Sequence, residues 1–214
     1  MLVRSRILAV SCFLAALAGC SSYGGRQLPS LDHEQPAWST DASGVQVGVV
    51  VIRDARSQKE YFDQDLTSLG VLPVRVIVRN RGSSARIVDP SDVRLAMAED
   101  RREPPMSVGA IEALIANEEG RNPSFADRFY AYEAPVVGMI HDQKTRRARH
   151  VDYSSKALKY SQLPPGATVD GVVFFDVAAD VQRAGGPLAF DVDLPEQQSG
   201  KMLIVHVAVG GRSE

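Results

Sequence analysis

Val74, Val76 and Val78 fall on alternate positions, with Arg75 and Arg79 on the opposite phase, and this spacing constrains the fold more than any other feature of the chain. A period of two puts the valines on one face of a strand, and a strand with one dry face must find both a hydrogen-bonding neighbour and a second apolar layer. The pattern recurs. Val45 to Ile52 is a β-branched run, Val71 to Asn80 holds the three valines, and short strands fit Ala85 to Val88 and Val93 to Met97. Further along, Val169, Gly171, Val173, Phe175 and Val177 alternate, as do Leu188, Phe190, Val192 and Leu194, then Leu203, Val205, Val207 and Val209. Turn chemistry separates them at Asn80 to Ser84, Asp89 to Asp92 and Pro195 to Gly200. Seven such strands predict a mainly β fold, an immunoglobulin-like antiparallel sandwich, because two half-apolar sheets bury those faces against each other. A small β-barrel is the alternative. The Cys and Trp signature of antibody domains is absent, so the expectation concerns architecture only.

A different texture interrupts the strands at about 103–162. Ser107 predicts the cap of a helix whose Val108, Ile111, Leu114 and Ile115 form a stripe ending near Gly120. A second helix is predicted from Gln143 to Tyr160, with Ala148, Val151, Ser155 and Leu158 on one face. This middle third reads as a helical insertion. Between the first two long strands, Ser57 to Leu69 suggests a short helix or an irregular crossing.

The N-terminus carries an address. Arg4 and Arg6 precede an apolar stretch from Ile7 to Ala18, twelve residues long, too short for the roughly 20 that cross a bilayer as a helix. The stretch closes on Leu17-Ala18-Gly19-Cys20, which resembles the lipobox of bacterial lipoproteins. The resemblance implies cleavage between Gly19 and Cys20, so that residues 1–19 are a signal peptide, and acylation of the Cys20 thiol by three chains. At about 0.8 kcal/mol per buried methylene that anchor is effectively permanent. Ser21, where an aspartate would favour the inner membrane of a proteobacterium, implies the outer membrane, facing the periplasm. Residues 20–44 are rich in Ser, Gly, Pro, Asp and Gln and read as a lipidated flexible tether of roughly 25–30 Å reach. The folded domain is then 45–214. Trp38 reads as a staple of the tether to the domain, or as a contact surface.

The segments YFDQDLTSLGVLPVRVIVRN (Tyr61 to Asn80) and DYSSKALKYSQLPPGATVDGVVFFDV (Asp152 to Val177) resemble a poorly characterised group of bacterial lipoproteins with an immunoglobulin-like domain. That group combines a lipobox, a sandwich and a helical insert before the DY segment, and the resemblance implies no established activity. Here the apolar part of the insert is only Ala134 to Ile140, which argues against its entering a membrane.

Charge and motif narrow the chemistry. With 24 basic and 26 acidic residues the chain has a formal charge of -2, and loss of Arg4 and Arg6 leaves -4 on the mature protein, no basis for nucleic-acid binding. Neither GxSxG nor SxxK occurs, and the mature chain's single cysteine is the acylated Cys20, so no catalytic residue is assigned. His33, His141, His150 and His206 lack the HExxH spacing, and His206 reads as a packed or rim histidine on a strand. The carboxylate pairs Asp63/Asp65, Asp89/Asp92 and Asp191/Asp193 fit turns and the solvent face of a strand better than a calcium site. No metal or cofactor is expected. The unusual run is Lys144, Arg146, Arg147 and Arg149, suited to an anionic lipid surface or an acidic partner, or simply to a solvated helix face. The leading expectation is a lipid-anchored, non-enzymatic envelope module that binds an envelope protein or cell-wall component. The alternative is an envelope hydrolase or metal-dependent binding protein whose site converges only in three dimensions.

Overall fold

The alternating segments pair as their dry faces require. The structure is a computed structural model that describes residues 23–97, 102–121, 135–177 and 186–210, with the backbone alone for 135–142. In chain order the strands are β1 (Ala37–Thr40), β2 (Val45–Val51), β3 (Val71–Asn80), β4 (Arg86–Val88), β5 (Val93–Ala96), β6 (Arg102–Glu103), β7 (Ser161–Leu163), β8 (Thr168–Asp176), β9 (Leu188–Asp193) and β10 (Ile204–Val209). The helices are α1 (Ala55–Phe62), α2 (Val108–Arg121) and α3 (Pro135–Lys156). One sheet runs β1-β2-β3-β8 and the other β10-β9-β5-β6, with β4 and β7 as a separate pair, every pairing antiparallel. The order β2-β3-β8 is that of strands A, B and E of an immunoglobulin-type sandwich, and β10-β9-β5-β6 that of G, F, C and C′. Among the described residues neither sheet closes on itself, so the sandwich holds and the barrel does not.

Two apolar cores flank the first sheet. Even positions of β3 (Leu72, Val74, Val76, Val78) meet Val173 and Phe175 of β8, Phe190 and Val192 of β9, and Val205 and Val207 of β10 between the sheets. Odd positions look the other way. Val71 joins Val172 and Phe174 against Phe62, Leu66, Ile111, Ile115 and Tyr153, so the insertion lies as a third layer over the outer face of the β3/β8 sheet. Phe62 stands edge-on to Tyr153 (5.5 Å between centroids) and to Phe174 (5.6 Å), arrangements worth about 0.5–1.5 kcal/mol each beyond burial. Of the odd positions only Arg79 remains partly open, which explains why this strand reads as half-buried in sequence and is buried almost throughout.

Several expectations need correcting. Residues 23–44 do not form a free tether. Ala37–Thr40 is a strand paired to β2, and Trp38 lies across Gly48, where a Cβ would meet its ring at 2.8 Å. The Arg79 guanidinium sits 4.4 Å from the Trp38 ring centroid, so Trp38 is the staple, 41% exposed. Gly48 alone makes that flat seat. The second insertion helix starts at Pro135, not Gln143, and ends at Lys156, before Tyr160. Its inward stripe is Arg149, Tyr153 and Lys156, while Val151 is 60% exposed. Asp191, expected on the solvent face, is buried beneath Arg102 (3.0 Å) and His206, which cover it from β6 and β10. The Ser107 reading holds: its Oγ accepts from Ala110 N at the start of α2. Asp54, Asp65 and Asp89 also cap the short helical segments that follow them.

Candidate functional site: a basic groove in the helical layer

Three residues of the basic run, Arg146, Arg147 and Arg149, line a groove between α2 and α3. Small side chains make the space: Ala113 and Ala116 on α2 face Gln143, Arg146, Arg147 and Arg149 of α3 across about 480 Å³. Lys144, Arg146 and Arg147 are exposed. Arg149 is not. Its side chain is 4% exposed and its Nη2 donates to Glu119 Oε1 at 2.6 Å, which ties the C-terminal part of α2 to α3. The Arg149 Nε is buried with no hydrogen-bond partner among the described residues. The four predicted contact residues therefore divide into three on the surface and one in the wall, a correction that follows from α3 turning Arg149 toward α2. His150 Nδ1 lies 3.0 Å from Glu112 Oε2 at the edge of the same groove.

What seats α3 is a polar cluster that sequence reasoning missed. Lys156, 3% exposed, donates to Asp152 one helical turn earlier and to the carbonyl of Tyr61 at the end of α1. Tyr23 Oη donates to the same Asp152 Oδ2 at 2.5 Å, and Tyr153 Oη donates to the Phe62 carbonyl at 2.8 Å. Burial, then the bond to Asp152, pushes the Tyr23 hydroxyl pKa far up, so Tyr23 is a neutral donor. One cluster thus joins α3, α1 and the N-terminal segment.

A second cluster pins that segment further along. Arg75, on the outer face of β3, is buried; it donates to Asp170 on β8 (2.9 Å from Nε), to Glu34 (2.8 Å) and to the carbonyl of Pro29 (2.7 Å). Arg26 N donates to the Glu60 carbonyl at 2.8 Å. Residues 23–34 therefore run along α1 and over the β3/β8 face, held by side chains more than forty positions away in sequence.

Among the described residues, those named for a hydrolase or metal site do not converge. His33 is exposed near the N-terminal segment, His150 faces Glu112 in the helical layer, and His206 stands on the far face of the other sheet. The His141 side chain lies outside the described residues, as do Gly19 and Cys20. Among the described residues no group of three His, Cys, Asp or Glu is placed to hold a metal ion. None of the described helices is long and apolar enough to cross a membrane.

Fold and groove together define an immunoglobulin-type sandwich with a helical layer carrying a basic cleft. No protein-family model matches the chain and no curated protein matches it. Among solved structures the chain is similar to a Bacillus subtilis protein named a putative lipoprotein (ycdA), at 16% identity and a TM-score of 0.43. The match covers 85% of this chain and 40% of that one, so this chain spans less than half of that protein's length.

Proposed function

We propose that the protein is a lipid-anchored, non-enzymatic lipoprotein of the bacterial envelope, a binding or assembly module at the periplasmic face of the outer membrane. The observation that carries the binding role is the groove itself: two exposed cations, Arg146 and Arg147, line it, and the inner nitrogen of a third, Arg149, is buried beside them and unpaired among the described residues. Arg presents planar donors that match phosphate or carboxylate oxygens, so the cations at the groove suit an anion on a large partner. The LAGC motif supplies the anchor, which raises the local concentration of whatever the groove contacts.

Two experiments test it. Cys20→Ala should abolish fatty-acid labelling and leave the protein unprocessed, and normal labelling of that variant would refute the anchor. For the groove, the mature chain carrying Cys20→Ser should bind phosphatidylglycerol vesicles in a salt-sensitive manner. Adding Arg146→Gln and Arg147→Gln should weaken that binding by ~2 kcal/mol, on the order of 1 kcal/mol per charge. Binding that ignores both salt and substitution would remove the groove from the reading.

A further inference from the structure

The N-terminal segment is docked from Tyr23 onward, and Tyr23 is bonded to Asp152 of α3. Only Ser21 and Ser22 separate Tyr23 from Cys20. Three Cα steps extend at most about 11 Å, against the roughly 25–30 Å that a free 24-residue tether would reach. We infer that an acylated Cys20 is a short stem, not a tether, and that it fixes the helical layer of the domain face down on an anionic lipid surface. The inference rests on the lipoprotein reading and adds an orientation to it.

Two features of α3 fit that pose independently of the stem. Lys144, Arg147, Val151 and Ser155 follow at spacings of three, four and four residues, which places them on one side of a helix, and all four are exposed. This exposed side offers cations and one bare apolar group, with Val151 60% exposed and next in sequence to the Asp152 that holds Tyr23. At 1.5 Å per residue, Arg147 lies about 7.5 Å and Lys144 about 12 Å along the axis from Asp152, within the span of a few phospholipid headgroups. The opposite sheet presents another chemistry. On the outer face of β10, Ile204, His206 and Ala208 are exposed, with the sandwich interior and the β3/β8 sheet between them and the helices, a separation of roughly 20 Å at about 10 Å per layer.

The acylated full-length protein, purified from membranes and placed in vesicles of phosphatidylethanolamine and phosphatidylglycerol doped with a nickel-chelating lipid, tests the pose. Once the signal peptide and Cys12 are gone, Cys20 is capped by lipid, so Val151→Cys or Ala208→Cys adds a single free thiol for a nitroxide. Collisional relaxation by lipid-bound nickel should be at least fivefold greater at 151 than at 208. Inserting twenty Gly and Ser residues between Ser22 and Tyr23, which leaves the Tyr23 to Asp152 bond in place, should bring the two sites to within a factor of two. Equal relaxation in the natural chain would overturn the pose while leaving the anchor intact. A fivefold difference that survives the insertion would overturn the stem, since charge alone would then orient the domain. Mass analysis of the N-terminal peptide separates these from failure of the reading beneath: absence of acyl groups on Cys20 would overturn both.

Discussion

Lys156→Met probes the cluster on which α3, α1 and the N-terminal segment converge. The substitution keeps the length of the side chain and its packing beside the Phe62 ring, 5.6 Å from the ammonium, but removes the charge. Asp152, only 18% exposed, then keeps the Tyr23 hydroxyl as its sole partner among those described here, and the Tyr61 carbonyl loses its donor. Breaking a buried ion pair from one side costs about 3–5 kcal/mol. The partial exposure of Asp152 argues for the lower end, about 3 kcal/mol. With a urea dependence of about 2 kcal/mol/M for a domain of this size, the unfolding midpoint should fall by about 1.5 M. The companion variant Asp152→Asn with Lys156→Met removes both charges together and should recover at least 1 kcal/mol relative to the sum of the single changes, because neither charge is left stranded. Circular dichroism during urea titration at pH 7 reads both. A fall of less than 0.3 M for Lys156→Met, or strict additivity in the pair, would show that the cluster does not hold the helix.

Two further outcomes follow from particular contacts. Gly171→Ala puts a Cβ 2.5 Å from the Leu158 nitrogen and forces apart the Leu158 N to Val172 O bond of 2.9 Å, so it should destabilise by about 2–4 kcal/mol. Gly120→Ala, in open space on α2, should instead stabilise by up to about 1 kcal/mol, and thermal melts that rank the two variants otherwise would contradict this packing. Glu34 has a raised pKa because burial outweighs the pull of Arg75, so its contribution to stability is full below the ordinary carboxylate pKa and lost as pH rises through the elevated one. Urea midpoints from pH 4 to pH 8 should therefore turn progressively against the natural chain relative to Glu34→Gln, and a trend of the opposite sign would refute the dominance of burial.

The strands were legible because period two is a local signal: Val74, Val76 and Val78, or Val205 and Val207, report one face without knowledge of the partner. The cap at Ser107 was legible for the same reason. The faces of β3, β9 and α3 were not, since Arg75, Asp191, Arg149 and Lys156 look outward by composition. Each is buried because a partner arrives from elsewhere: Glu34 and Asp170 for Arg75, His206 and Arg102 for Asp191, Glu119 for Arg149, and the Tyr61 carbonyl for Lys156. Such partners leave no trace in a window of ten residues. The strand at Ala37–Thr40 was hidden by its polar neighbours, and the one usable cue was the pairing of a lone tryptophan with a glycine, Trp38 over Gly48. Of the candidate site, the residue types were readable in the basic run, whereas the groove depends on Ala113 and Ala116 facing α3, a matter of packing and not of charge.

The strand β8 ends the first sheet, yet two of its outer carbonyls are already taken. Val172 O accepts from Leu158 N at 2.9 Å and Phe174 O from Met106 N, so the two chain segments that enter and leave the insertion cross the sheet's edge like a hem. An open edge strand is a ready template for pairing with another chain. With the hem in place, Val172 and Phe174 offer no free carbonyl to an incoming strand, so this stretch of the edge is protected against strand addition. The insertion therefore does more than carry the groove: its two ends cover part of the edge of the sheet on which it rests.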